Sequence, residues 1–164
     1  MSMDLFTRKT NMRLRSLPVS LALLLNACAG VPSSAPPYSR APNPPTTSAN
    51  VYIYRIGAYP TLRTPAIAID GKKIFDPPEK SYTVVAIEQG EREFVVDWAW
   101  DTEWPDLKFP LHVVAGDALY VKISGSFEST GGGIEMGSVA RLVPQAQAEA
   151  EMRECCRYIA PRAR

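Results

Sequence analysis

Arg92-Glu93-Phe94-Val95-Val96-Asp97-Trp98-Ala99-Trp100 is the stretch on which the fold class turns. Phe94, Val96, Trp98 and Trp100 fall on one face, Glu93 and Asp97 on the other. A period of two sends successive side chains to opposite faces of a strand, whereas a helix would scatter the same residues around its axis. Leu119-Tyr120-Val121-Lys122-Ile123-Ser124 repeats the pattern, with Leu119, Val121 and Ile123 opposed to Tyr120, Lys122 and Ser124. Both stretches read as half-buried antiparallel strands.

Working outward, short β-branched and aromatic runs recur at 51–56, 66–70, 73–75, 81–87, 92–100, 108–114, 118–124 and 134–143. Asp70-Gly71 between Ala-Ile-Ala-Ile and Lys-Lys-Ile-Phe is a two-residue hairpin signal. Gln89-Gly90 and Gly116-Asp117 supply tight-turn residues at two further joins. Turns at roughly ten-residue spacing predict an all-β domain, a small antiparallel β-sandwich. Ser124-Gly125-Ser126 and Gly131-Gly132-Gly133 are expected to bracket a loop, and no Lys-Ser/Thr follows the glycines as a phosphate loop requires. Pro144 then opens an Ala/Glu/Gln-rich segment in which Ala148, Met152, Cys155 and Ile159 recur at helical spacing and Glu149 lies four before Arg153. The expectation is one C-terminal amphipathic helix over 145–159, stopped by Pro161 and packed on the sandwich.

The chain has 164 residues, 18 basic and 17 acidic side chains, 15 prolines and 46% hydrophobic residues. That length suits one domain. A charge of +1 excludes a strongly basic nucleic-acid binder, and 21% charged residues exclude a polytopic membrane protein. The N-terminal part has a texture of its own. Arg8, Lys9, Arg13 and Arg15 precede an apolar run over 17–25, the layout of a secretory signal. As a helix that run would cover roughly 14 Å, about half a bilayer core, too short to span. Met12 is an alternative start to Met1, since 12–27 alone makes a compact signal. Residues 29–49 hold six prolines and a single charge, Arg40, and read as a polyproline-like tether of at most roughly 65 Å. The organisation expected is therefore signal 1–27, tether 28–49, sandwich 50–143, and helix and tail 144–164.

Leu25-Asn26-Ala27-Cys28 resembles the lipobox of bacterial lipoproteins, with Leu25, Ala27 and Cys28 matching it. The resemblance implies a diacylglyceryl thioether on Cys28 and cleavage after Ala27, which leaves a palmitate-type acyl anchor at the membrane. A thiol suits the role because its thiolate is the strongest nucleophile among side chains at neutral pH. Cleavage removes four basic residues and Asp4, so the net charge passes from +1 to −2. Ala29 rather than Asp follows Cys28, which the resemblance connects with the outer membrane rather than the inner. Within the domain, Val51-Tyr-Ile-Tyr-Arg55, Ile-Ala-Ile-Asp-Gly71-Lys-Lys, Ser81-Tyr-Thr-Val, Glu88-Gln-Gly90-Glu and Leu119-Tyr-Val-Lys-Ile123 resemble the DUF2846 family over about residues 50–143. That family implies a PEGA-like or transthyretin-like sandwich in secreted or lipid-anchored bacterial proteins, with no agreed activity.

Three constellations compete for a functional role. His112 is the single histidine, placed in a strand with no Asp/Cys pair nearby, and catalytic elbows and His-Glu-x-x-His are absent from the sequence. Trp98, Trp100 and Trp104 with Asp101 could form a ligand patch that stacks a sugar ring, or Trp98 and Trp100 could simply continue the inward strand face. Trp104 is the one expected at the surface. Cys155-Cys156 admits a buried Cys155 on the apolar stripe, a vicinal disulfide, or a bridge to a second copy. The first is favoured, since in a helix Cys156 would point about 100° away. No metal ligand set and no cofactor motif is found.

The reading is a lipid-anchored protein of the bacterial cell envelope, at the periplasmic face of the outer membrane, whose sandwich acts by binding a protein or glycan rather than by catalysis. One rival is an enzyme or glycan-binding domain using loop 98–106 with His112. Another is a structural homodimer joined through Cys156.

Overall fold

The computed structural model describes residues 30–58, 63–99, 104–130 and 133–161. Among the described residues nine strands and one helix follow in chain order: β1 Ser48–Arg55, β2 Ala66–Ile69, β3 Lys72–Phe75, β4 Ser81–Glu88, β5 Gly90–Asp97, β6 Leu107–Val113, β7 Ala118–Thr130, β8 Gly133–Leu142, α1 Gln145–Cys155 and β9 Arg157–Tyr158. They form a five-stranded sheet in the order β8-β7-β1-β4-β9 and a four-stranded sheet in the order β3-β2-β5-β6. The all-β sandwich with a single C-terminal helix is thus the architecture. Two pairings depart from an all-antiparallel plan, because β1 runs parallel to β7 and β4 parallel to β9.

The hairpin at Asp70-Gly71 forms as its sequence requires, with both residues at positive φ (51° and 72°). Two left-handed residues match the twist of the flanking strands, and Asp70 makes the turn tolerable by accepting the Glu93 backbone N–H at 2.8 Å. The stretch expected as a loop is instead strand over its described residues: β7 and β8 pair from Val121↔Leu142 to Thr130↔Gly133. A Cβ on Gly137 would come within 2.9 Å of Ser126 Oγ, so glycine here serves a close cross-strand approach.

The inter-sheet core gathers Val51, Ile53, Ile67, Phe94, Val96, Leu111, Val121 and Ile123. Phe94, Val96 and Trp98 are inward as the alternation predicts, and Trp100 lies outside the described residues. β1 is buried along its whole length, which half-buried strands do not explain. The opposite face of the five-stranded sheet carries a second core of Tyr52, Tyr54, Tyr82, Tyr120, Ala148, Met152 and Cys156. The molecule is therefore three layers deep: sheet, sheet, then α1 with residues 36–42.

The helix stops at Cys155, short of the expected 159. Cys156 is already extended (φ −116°, ψ 145°), and the chain goes on to pair with β4. Having left the helix, Cys156 turns inward and is the buried member of the pair, and it is joined to Cys155 by a disulfide. This corrects the favoured reading of an inward Cys155 on a continuing stripe. It also corrects the bridge to a second copy, because both sulfurs are used within the chain.

Candidate functional site

Residues 36–42 belong to the stretch whose composition predicts a tether. They lie instead as a strap across the tyrosine face. The Tyr158 N–H donates to the Pro36 carbonyl at 2.8 Å, and Pro37 bridges Arg157. The Ser39 N–H donates to the Tyr82 hydroxyl at 3.1 Å and the Ala41 N–H to the Tyr52 hydroxyl at 2.8 Å. Asn50 Nδ2 donates to the Pro42 carbonyl at 2.8 Å. The arrangement follows from the residues: an extended, proline-interrupted chain cannot pair all its amides with a neighbouring strand. Amides 39 and 41 point the same way, at a spacing that two hydroxyls on adjoining strands can meet.

Aromatic rings complete the trough. Tyr52 stacks on Tyr120 with centroids 4.7 Å apart and planes 10° apart, while Tyr38 of the strap packs tilted against Tyr82 at 5.4 Å. The Arg153 guanidinium lies over the Tyr38 ring at 5.6 Å. Rings present an apolar body and a polar tip, so one residue type both fills this layer and satisfies the strap backbone.

Helix α1 is fastened to the same face by two carboxylates. Glu149 is 6% exposed and accepts from Tyr120 at 3.2 Å, Gln145 at 2.9 Å and Arg153 at 2.7 Å, with Arg40 of the strap closing the cluster. Burial alone would raise its pKa. The hydrogen bonds from Gln145 and Arg40, together with the Arg40 charge, outweigh that and hold it at about 2. Glu151 repeats the device with Tyr54 at 2.7 Å and Lys122 at 2.9 Å, and burial is again outweighed, leaving it at about 2. Burial and then Glu151 push the Tyr54 phenol up, and burial pushes the Tyr120 phenol up, so both stay neutral donors. For Tyr120 the causes after burial include Tyr38 and Glu149.

Of the residues singled out in the sequence, Trp98, Trp104 and His112 lie away from this face. Trp98 is 4% exposed, donates to Ser138 Oγ at 2.7 Å and packs edge-on against the half-buried Trp104, ring centroids 5.1 Å apart. Neither ring is a free stacking platform, because each covers the other at one end of the inter-sheet core. Trp100 and Asp101 lie outside the described residues, as does Cys28. Beneath Trp98 sits Arg55, fully buried, its guanidinium 5.3 Å from the Trp98 ring. It donates to the carbonyls of Ala58 (2.8 Å), Arg63 (2.8 Å) and Pro77 (3.0 Å) and faces Glu79 at 3.4 Å. Four acceptors around a desolvated cation describe a brace for this end of the sandwich.

His112 lies elsewhere, on the exposed outer face of β6, its Nδ1 2.5 Å from Glu91. Five residues of strand, about 17 Å, separate it from the β6 end that follows Trp104. Among the described residues no three His, Cys, Asp or Glu side chains converge as metal ligands, and no helix is long and apolar enough to cross a membrane.

The tyrosine trough is what the sequence reading missed. A signal was present: Tyr52 and Tyr54 alternate with Val51 and Ile53, and Tyr120 with Val121, marking a second buried face. Compared with protein-family models, with curated proteins and with solved structures, the chain matches none.

Proposed function

We propose that this chain is a lipid-anchored, DUF2846-like protein of the bacterial cell envelope whose sandwich is a binding module held close to the membrane. The observation that carries the reading is the docked strap together with Cys28 upstream of it. With residues 36–42 fastened to the tyrosine face, only residues 28–35 separate the lipidation site from the docked chain. Eight residues extend at most roughly 25 Å, compared with roughly 65 Å for the whole proline-rich stretch. A thioether-linked diacylglycerol on Cys28, with a third chain on its amino group, exceeds the two-signal requirement for stable anchoring. The sandwich then works next to the bilayer rather than reaching across the periplasm.

The experiment is replacement of Cys28 by Ala in the full chain. The expected outcome is an uncleaved protein that no longer incorporates labelled palmitate and leaves the detergent phase. Unchanged palmitate labelling and partitioning would overturn the reading.

A further inference from the structure

The two edges of the four-stranded sheet are guarded against accidental pairing. β6 carries Pro110 with exposed Lys108 and His112, and β3 is four residues long with Lys72 and Lys73. β4, which forms most of one edge of the five-stranded sheet, has no such guard. β9 covers it only at Ser81 and Tyr82. Val84-Val85-Ala86-Ile87-Glu88 beyond has no proline or lysine.

The free backbone groups on that edge are fixed by parity. The Arg157 N–H donates to the Lys80 carbonyl and the Ile159 N–H to the Tyr82 carbonyl, so even-numbered residues of β4 turn their polar groups outward. Residue 161 would be the next donor, to the Val84 carbonyl, but it is Pro161 and has no N–H. Among the described residues the ladder stops there. Val84 and Ala86 present both backbone groups on the edge and Glu88 its N–H, since the Glu88 carbonyl already accepts from Arg92 Nε at 3.0 Å, while Thr83, Val85 and Ile87 bond to β1.

Beside this edge lies a groove of about 790 Å³ between the sheets, with β3 on its far side. Ile69, Ile74, Val85 and Ile87 give it an apolar floor. At the rim Lys73 is engaged by Asp76 and Arg92 by Asp70, whereas the exposed Lys72 faces no carboxylate at ion-pair distance among the described residues.

We propose that the β4 edge is a strand-addition site for an extended segment of a partner protein, apolar at alternate positions and acidic where it passes Lys72. Backbone bonding to Val84, Ala86 and the Glu88 N–H supplies the affinity, and side chains entering the groove supply the selectivity. Lys72 is the charge that the partner complements. A second copy does not fit: β4 self-pairing would carry that copy's own Lys72-Lys73 edge into the same gap, like charge against like. This deepens the binding-module reading and names its surface, yet it does not depend on the lipid. Failure of the Cys28→Ala experiment would leave it standing, and the reverse also holds.

The test uses the full chain purified in detergent and an acetylated heptapeptide alternating valine and threonine, closed by glutamate. Without peptide, the Ala86 and Glu88 amides should exchange at least about tenfold faster than those of Val85 and Ile87. Peptide should slow the former pair selectively. The Ala86 N–H points away from β1, so Ala86→Pro should keep the fold while weakening binding at least about tenfold. Should that variant not fold, Lys72→Glu decides, by weakening the glutamate-ended peptide more than its glutamine-ended analogue. Three results would overturn the proposal: protected Ala86 and Glu88 amides in the free monomer, peptide affinity indifferent to both substitutions, or a dimer that Ala86→Pro dissociates.

Discussion

Between the sheets, Val51, Ile53, Val121 and Ile123 meet Ile67, Phe94, Val96 and Leu111; on the other face of the same strands, Tyr52, Tyr54 and Tyr120 meet Ala148, Met152 and the strap. The first contact is aliphatic and non-directional, and its strength follows the apolar area removed from water. The second is built from side chains whose rings pack and whose hydroxyls must each find a partner. One core holds whatever packs into it. The other holds only a layer presenting the right donors and acceptors, and so it selects α1 and residues 36–42.

The comparison can be broken most severely in the first core. Ile53→Ala, in the middle of the central strand, should cost about 2–5 kcal/mol, because a lost side chain leaves a cavity that the sheets cannot close. Urea unfolding should show this loss as the same at pH 7 and pH 3. A pH-dependent loss would mean that the aliphatic core is coupled to the carboxylates across the sheet.

The second core should respond to acid. Glu149→Gln keeps the shape and removes the charge that gathers Tyr120, Gln145, Arg40 and Arg153, for a cost of about 1–3 kcal/mol at neutral pH. The folded carboxyl sits at about 2 against 4.5 for an unperturbed one. A depressed folded pKa contributes stability that is complete above the unfolded value and drains away as pH falls toward the folded one. Wild-type stability should therefore fall between about pH 4.5 and pH 2 by more than that of Glu149→Gln, and the two should converge toward pH 2. Parallel curves would show that the carboxylate is not held as described.

The smallest effect sharpens the contrast. Tyr52→Phe keeps the ring stacked on Tyr120 and removes only the hydroxyl that receives the Ala41 N–H, a loss of about 1 kcal/mol. Global unfolding should shift little, while tryptic cleavage after Arg40 should become several-fold faster as the strap opens locally. Equal cleavage rates would show that ring packing alone retains the strap.

Much of the sandwich was legible because strand alternation and hairpin chemistry are local. Phe94, Val96 and Trp98 announce an inward face within five residues, and Asp70-Gly71 announces its own turn. The parallel neighbours β1 and β7 were not legible, because 68 positions separate partners that no local signal connects. The same holds for the strap: Pro-rich composition says that residues 36–42 cannot make a core of their own, but not that tyrosines on four other segments will receive them. Of the residues considered for a ligand patch, Trp98 could be placed inward from its period. The Trp104 contact with it could not, since no strand period links the two residues.

The sequence by itself determined the strand periodicity, the turns, the place where the helix begins and the lipobox-like Leu25–Cys28 stretch, all of which depend on residues near one another in the chain. Only the tertiary structure decided what covers the tyrosine face, where Cys156 turns in, that the tether becomes a strap, and that β4 has no paired strand beyond Tyr82 among the described residues. These depend on pairing across the fold, where the backbone groups of one segment are satisfied, or left open, by residues far along the chain.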